Sequence, residues 1–460
     1  MSTFHIWTLG CQMNQADSLK LAAGLEGLGY HAVDDDVDAD LVVINTCSVR
    51  QHAEDRAYSR MGVLRKRRNE GKRFKIAVMG CMVGPKTDDL RKRFPYVDVW
   101  ARPQEFDGIL QVAGDFRDVS GGELGALMGD LDGGAIKMAP GTYGLPKGPT
   151  AYVPVIHGCD KFCTYCIVPL RRGREDSRPA TDILDEVRFL AAHGVREVTL
   201  LGQTVEAYGH DLEPDTTGLY AETGGRPDLA TLFEGIDAIE GISRVRFLTS
   251  YPKDMTDRII DAVADQPKVS EHFNIPVQSG SESMLLRMRR GYTVADFEDR
   301  VARIRRRMPD AAIVTDVIVG CPGETEAEFA DTIALLERTQ FDIIHVAAYS
   351  PRPGTYAARN LPDDVPAEVK KERLHVVEAL HAASSERINQ RLLGREVEVL
   401  VEQNENGRAT GRTRQGQLVH FDVIGAQGRT LGELVRVEIS QATPWSLQGH
   451  VAGTLTLAVL

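Results

Sequence analysis

Three thiols stand within eight residues at Cys159, Cys163 and Cys166, spaced Cys-x3-Cys-x2-Cys. A cubane iron–sulfur cluster needs four ligands, usually four Cys. Three from one loop leave one iron free, and the next thiol, Cys321, lies far along the chain. An open iron is what an enzyme needs to bind a reactant directly on a cluster. A zinc knuckle would want another pair of Cys or His within about 20 residues, and only His157 and His193 are at hand. Three more thiols, Cys11, Cys47 and Cys81, each directly follow a predicted strand. Parallel strands bring their carboxyl ends to one sheet edge, where ligands bind, so these three are expected to converge. A second three-thiol cluster is the favoured reading. The alternatives are a zinc site, which in structural form takes four ligands, or three buried, packing thiols.

The elements that must position these residues can be read from periodicity. Strands are predicted at 5–9, 41–45 and 75–79, with helices at 17–28 and 51–68 between them. That alternation predicts a parallel α/β, Rossmann-like domain over 1–118. A Gly-rich linker follows at 119–144. Six strands are predicted next, at 151–156, 197–201, 244–248, 272–276, 313–319 and 343–349, with helical stretches between them. Thr325-Glu-Ala-Glu328 reads as a capping box. Repeated β–α units of this kind, over 145–383, close into a full or partial barrel; an open doubly wound sheet is the alternative. Short strands at 397–401, 409–413, 418–422, 434–439 and 450–455 predict a small β-barrel over 391–455.

Composition narrows the setting. The 42% apolar fraction is enough for several cores. Seven Cys point to metal or catalysis rather than disulfides. There is no signal-peptide pattern and no apolar run near the ~20 residues that span a bilayer, so a cytoplasmic chain without membrane association is expected. The net charge of −12 argues against a surface coated in basic charge. Two local basic patches remain candidates for RNA, at 56–75 and 287–307, with solvated faces as the plainer reading.

The motifs extend the reading over nearly the whole chain. Thr8-Leu-Gly-Cys-Gln-Met-Asn14, Asn45-Thr-Cys-Ser-Val-Arg50 and Gly80-Cys81 resemble the amino-terminal domain of the radical S-adenosylmethionine (SAM) methylthiotransferases. His157 to Pro169, Arg172-Gly-Arg174, Leu201-Gly-Gln203, Pro276-Val-Gln-Ser-Gly280, Arg290-Gly-Tyr292, Pro322-Gly-Glu-Thr325 and Tyr349 to Gly354 resemble the same family's radical domain. Gly411-Arg-Thr-Arg414 lies in a stretch similar to a TRAM domain, an RNA-binding module. Gln12-Met-Asn14 and the run from Cys47 to Asp55 resemble the branch that acts on N6-dimethylallyladenosine in tRNA. The branches acting on a ribosomal protein or on threonylcarbamoyladenosine read differently after the first Cys.

The resemblance implies an amino-terminal α/β domain, a partial (β/α)6 barrel and a TRAM barrel. It implies two 4Fe–4S clusters, one on Cys11, Cys47 and Cys81 and one on Cys159, Cys163 and Cys166. SAM is expected on the second cluster as a radical source, and a further SAM as methyl donor. The product is then a methylthio group on C2 of the adenine at tRNA position 37. The partners implied are tRNA, a reductant such as flavodoxin or ferredoxin, and a sulfur carrier of unknown identity, with the chain acting as a monomer. Tyr165, Gln203, Ser250 and Gln278 are expected to line the SAM site, against plain packing of the barrel mouth. Arg412 and Arg414 are expected to meet RNA. Glu324 reads as a helix N-terminal charge and Cys321 as a buried thiol. Thr204 and Glu206 stand where the family usually has Asn, and Cys321 where it has an aromatic residue. A protein whose iron or zinc sites only staple an RNA-binding fold is the competing reading.

Overall fold

Every residue of Leu41–Thr46 is buried. A strand covered on both faces belongs at the centre of a parallel sheet. In the computed structural model, which describes residues 1–49, 51–117, 143–215, 220, 224–405, 407–422 and 431–454, it does. The first sheet runs in the order His31–Ala32, Thr3–Thr8, Leu41–Thr46, Lys75–Gly80, Val99–Ala101, all parallel. Leu21, Leu25, Ile109 and Leu110 cover one face, and Met61, Leu64 and Phe94 cover the other. All but the last two residues of the predicted linker at 119–144 lie outside the described residues.

The second domain settles the choice between barrel and open sheet. Thr150–Pro154, Glu197–Leu201 and Arg244–Leu248 pair in parallel, as do His272–Asn274, Ala312–Val319 and Ile343–Ala348. The parallel bridge Val245↔Val269 joins the two halves. The six strands therefore follow chain order, without the reversal of a doubly wound sheet. Side chains alternate between faces along a strand. Val245 and Phe247 pack with the outer helices, while Leu248, with Leu201 and Tyr152, meets Met13 and Ala16 of the Gln12–Gly27 helix. The open inner face of the partial barrel is thus filled in part by the first domain.

The Ala367–Gln390 helix runs through the predicted boundary at 383 and packs on the last barrel strand. Beyond it, Glu396–Glu405, Arg408–Thr413, Leu418–Asp422, Leu447–Thr454 and Leu434–Ala442 close a small barrel in that order. No helix among the described residues is long and apolar enough to cross a membrane.

Candidate iron–sulfur and SAM site

Each thiol of the first triplet sits where a strand of the first sheet ends. Cys11 caps the Gln12–Gly27 helix, Cys47 follows Leu41–Thr46, and Cys81 follows Lys75–Gly80. Buried side chains stitch these ends together. Asn14 Nδ2 donates to Leu9 O at 2.7 Å and Thr46 O at 2.8 Å. Thr46 Oγ1 donates to Met79 O, and Ser48 Oγ to Cys81 O. Gly80 has φ +95°, and a Cβ there would meet Asn45 Oδ1 and Thr46 O at 2.5 Å. Gly80→Ala is therefore expected to cost about 1–3 kcal/mol in backbone strain alone. The check is a lower denaturation midpoint.

Cys47 and Cys81 are buried and Cys11 is exposed. The charges of Cys11 and Cys47 both bear on Cys81, whose thiol burial pushes up to about 11 while Arg172 opposes the shift. Cys81 N donates to Thr46 O at 3.0 Å, and a Cβ on Gly10 would meet Cys47 Cβ at 2.8 Å, so the three strand ends adjoin. Among the described residues, no three His, Cys, Asp or Glu side chains group as a single metal ion requires. A polynuclear cluster spreads its ligands wider than one ion does.

The second triplet lies on a loop pinned at both ends. Gly158 has φ +69° and runs against the Arg174 carbonyl, leaving no room for a Cβ. Cys159 N donates to Gly173 O, Thr164 N to Met288 O and Cys166 N to Cys163 O. Cys159 Sγ lies 3.4 Å from Thr204 Oγ1. Burial, with Cys163 and Cys159 nearby, pushes the Cys166 thiol up to about 12. As free thiols such groups hold their protons at neutral pH, so iron binding must release them.

Arg290 reaches this triplet from the opposite side of the mouth. Its Nη1 lies 3.2 Å from Cys163 Sγ and 3.5 Å from Tyr165 Oη. Nε donates to Tyr292 Oη and Nη2 to Pro276 O. Tyr165 packs beside Met284, Met288, Cys321 and Tyr349. Gln278 is 9% exposed, has φ +72°, and its Oε1 has no partner among the described residues. Gln203 Oε1 is likewise buried and unpartnered among the described residues. Phe162 and Thr249 share the left-handed backbone of Gln278, at φ +48° and +73°. Strain of this kind gathers at ligand clamps. The three thiols, the unpartnered amide oxygens and the Arg290 charge fit an open cluster with a polar ligand beside it.

Ser250 is buried next to Glu206, whose Oε2 accepts from Tyr251 N. Burial pushes the Glu206 carboxyl up to about 8. The unfolded chain would ionise it near its ordinary 4.5. Stability from this group is then full below about pH 4.5 and is lost as pH rises to about 8. Glu206→Gln should flatten that decline, worth a few kcal/mol on the scale of about 1.4 kcal/mol per pH unit. Denaturation midpoints at pH 5 and pH 8 test it; an equal decline in both proteins refutes it.

Other predicted residues fall elsewhere. Cys321 is buried in the turn before the Glu326–Thr339 helix, whose Thr325/Glu328 capping box forms. Glu324 is a buried brace, bonded to Arg373 at 2.8 Å and to Gly320 N. Arg412 is half exposed and paired with Glu402. The Arg414 guanidinium is engaged with Glu271, Pro267 O and Val269 O. The arginines of the Val294–Arg307 helix are paired in part, Arg300 and Arg303 with Asp257, Arg307 with Asp261 and Asp265.

Two residues that touch the thiols carry no signal in spacing. Arg290 and Arg172 lay inside the motifs, yet nothing local marks an arginine as aimed at a sulfur. Arg172 Nε lies 3.3 Å from Cys81 Sγ, so a residue of the second domain touches the first triplet. His157 of the second domain likewise contacts Gln104 of the first. Burial, with Lys20 and Arg172, holds His157 well below its ordinary range and keeps it neutral.

A three-thiol loop at the mouth of a six-stranded partial barrel defines a radical SAM enzyme, and residues 153–336 match the Radical SAM superfamily. That membership brings a 4Fe–4S cluster and SAM. Residues 3–102 match Uncharacterized protein family UPF0004, and 390–452 match the TRAM domain. Among solved structures, the radical S-adenosylmethionine methyltransferase TsrM from Kitasatospora setae shares the fold. Its TM-score is 0.53 at 14% identity, covering 78% of this chain and 75% of that one. Curated relatives are much nearer in sequence. The tRNA-2-methylthio-N(6)-dimethylallyladenosine synthase of Dehalococcoides mccartyi (strain 195) is 41% identical over 99% of this chain and 100% of its own. Those of Chloroflexus aurantiacus and Herpetosiphon aurantiacus are 41% and 38% identical, over 97% and 99% of this chain and 91% and 98% of theirs. The chain belongs to the tRNA-2-methylthio-N(6)-dimethylallyladenosine synthase family.

Proposed function

We propose that this chain places a methylthio group on C2 of N6-dimethylallyladenosine at position 37 of tRNA, beside the anticodon. The observation that carries the reading is the contact between Arg172, six residues beyond Cys166, and Cys81 of the other three-thiol set, across one domain boundary. Cys159, Cys163 and Cys166 hold one 4Fe–4S cluster, and Cys11, Cys47 and Cys81 hold a second. When bound, the clusters and two SAM molecules supply the radical, the sulfur and the methyl group, chemistry that no side chain offers.

The chain's own residues bind and orient. Gln203 and Gln278 offer unpartnered oxygens to the SAM amino group, and Tyr165 and Ser250 complete that wall. Arg290 offsets thiolate charge at Cys163. Glu206, kept neutral at pH 7, adds no negative charge there. Met13, Ala16, Leu201 and Leu248 keep water from the inner barrel wall. Electrons come from a donor of the flavodoxin or ferredoxin class, and the chain acts as a monomer.

Mass spectrometry of tRNA nucleosides made by the anaerobically reconstituted protein tests the reaction. Methylthio-dimethylallyladenosine is expected. Product only on threonylcarbamoyladenosine or on a ribosomal protein would refute the assignment. RNA contact is proposed for Arg412, with Arg414 contributing by holding its turn. Phosphate contacts make affinity fall with salt, so Arg412→Ala should lower the slope of log affinity against log salt by about one. An unchanged slope in a binding titration would remove Arg412 from the interface.

A further inference from the structure

Arg172 ends the short Val168–Arg172 helix, six residues beyond Cys166. Its guanidinium points away from its own triplet and into the first domain. Nε donates to Cys81 Sγ at 3.3 Å, and Nη2 donates to Asn14 Oδ1 at 2.9 Å and Asp17 Oδ2 at 3.1 Å. The side chain is 2% exposed and that of Asp17 1%. Nη1 is buried too, and has no partner among the described residues. A buried guanidinium is costly unless its charge and its donors are met. Asp17 supplies one carboxylate oxygen, at 3.1 Å from Nη2. One donor remains open beside a set of thiols.

We propose that Arg172 is a positioning residue for the cluster held by Cys11, Cys47 and Cys81. With the cluster bound, its Nε–H would bond the Cys81 thiolate, and Nη1, which has no partner among the described residues, would be left to donate to a sulfur there. Because it stands at the end of the helix that follows the Cys159–Cys166 loop, it also sets one cluster's place against the other. The inference rests on the two-cluster reading above. Hydrogen bonds to cluster sulfurs and nearby charge tune reduction potential. Removing this cation should therefore make the first cluster harder to reduce.

The test uses the full-length chain with Cys159→Ala, Cys163→Ala and Cys166→Ala, so that a cluster can form only on the first triplet. Iron content and a redox titration followed by electron paramagnetic resonance are read in this background, alone and with Arg172→Gln, Arg172→Lys or Arg352→Gln. Arg352 crosses the same boundary, to Gln51, without touching a thiol. The expected result is unchanged iron and a more negative potential in Arg172→Gln, a smaller shift in Arg172→Lys, and none in Arg352→Gln. Equal potentials with and without Arg172, or a shift as large in Arg352→Gln, overturn the proposal. If Arg172→Gln does not fold, Arg172→Lys decides alone: a negative shift supports the proposal, and a wild-type potential overturns it. Absence of any cluster before Arg172 is changed overturns the two-cluster reading itself.

Discussion

Replacing Cys47 by Ala is expected to abolish methylthiolated tRNA while SAM is still cleaved. Cys47 is 7% exposed at the end of the most deeply buried strand of its sheet, and Val49 N donates to its sulfur at 3.4 Å. On the proposed two-cluster reading, two thiols then remain, too few to hold a cubane with one open iron. Residues that only support a metal ligand typically cost 10–100-fold when changed. Loss of the ligand itself should cost more than about 100-fold in product. The Cys159–Cys166 loop is pinned by separate contacts, to Gly173 and Met288, so deoxyadenosine release should persist. Iron per chain should fall by about half. Nucleoside mass spectrometry and deoxyadenosine assay on the same sample give both numbers. Product at wild-type level would place the sulfur-holding site elsewhere.

Arg244→Ala should loosen the carboxy-terminal barrel from the rest of the chain. Arg244 is fully buried; it pairs with Glu398 at 2.8 Å and Glu197 at 3.4 Å, and donates to Arg412 O at 2.8 Å. Arg246 adds bonds to Thr413 O and Arg414 O. Removing one partner of a buried ionic set leaves the others uncompensated and typically costs 3–5 kcal/mol. Here that cost falls on the seam between two domains. The first urea transition should move to lower concentration, and protease should cut sooner between the domains. Affinity for tRNA should fall with it, because the Arg408–Thr413 strand would lose its anchorage. An unchanged midpoint would mean that Arg246 and Arg414 suffice. Arg414→Ala, which frees Glu271, should show the same defect more weakly, since that pair is more exposed.

How much was legible differs by element. The strands Glu197–Leu201, Arg244–Leu248 and Leu418–Asp422 have the predicted limits. Apolar or alternating runs bounded by Gly or polar residues leave little choice of register there. His31–Ala32 and Val99–Ala101 were not foreseen, because two or three residues carry no period. The Gln12–Gly27 helix starts five residues before the predicted 17, with Cys11 itself as its N-cap. Its first turn holds Met13 and Asn14, buried against the barrel and the neighbouring strand end rather than along one apolar stripe.

The same contrast holds at the site. All six thiols were marked by residue type and by position at strand ends or in one loop. That information is local, because a strand end and a Cys spacing are properties of adjacent residues. Arg172 on Cys81, Arg290 on Cys163 and Arg414 on Glu271 were not marked. An arginine reads alike on a solvated face and in a buried bridge until the partner that neutralises it is known. Those partners lie about 90 to 140 residues away in the chain. Sequence by itself marked six thiols, at strand ends and in one loop, and the family that the chain belongs to. Only the tertiary structure decided which charges face the sulfurs and that the barrel follows chain order without a switch point. Burial and long-range pairing, which decide both, exist only once the three domains are packed.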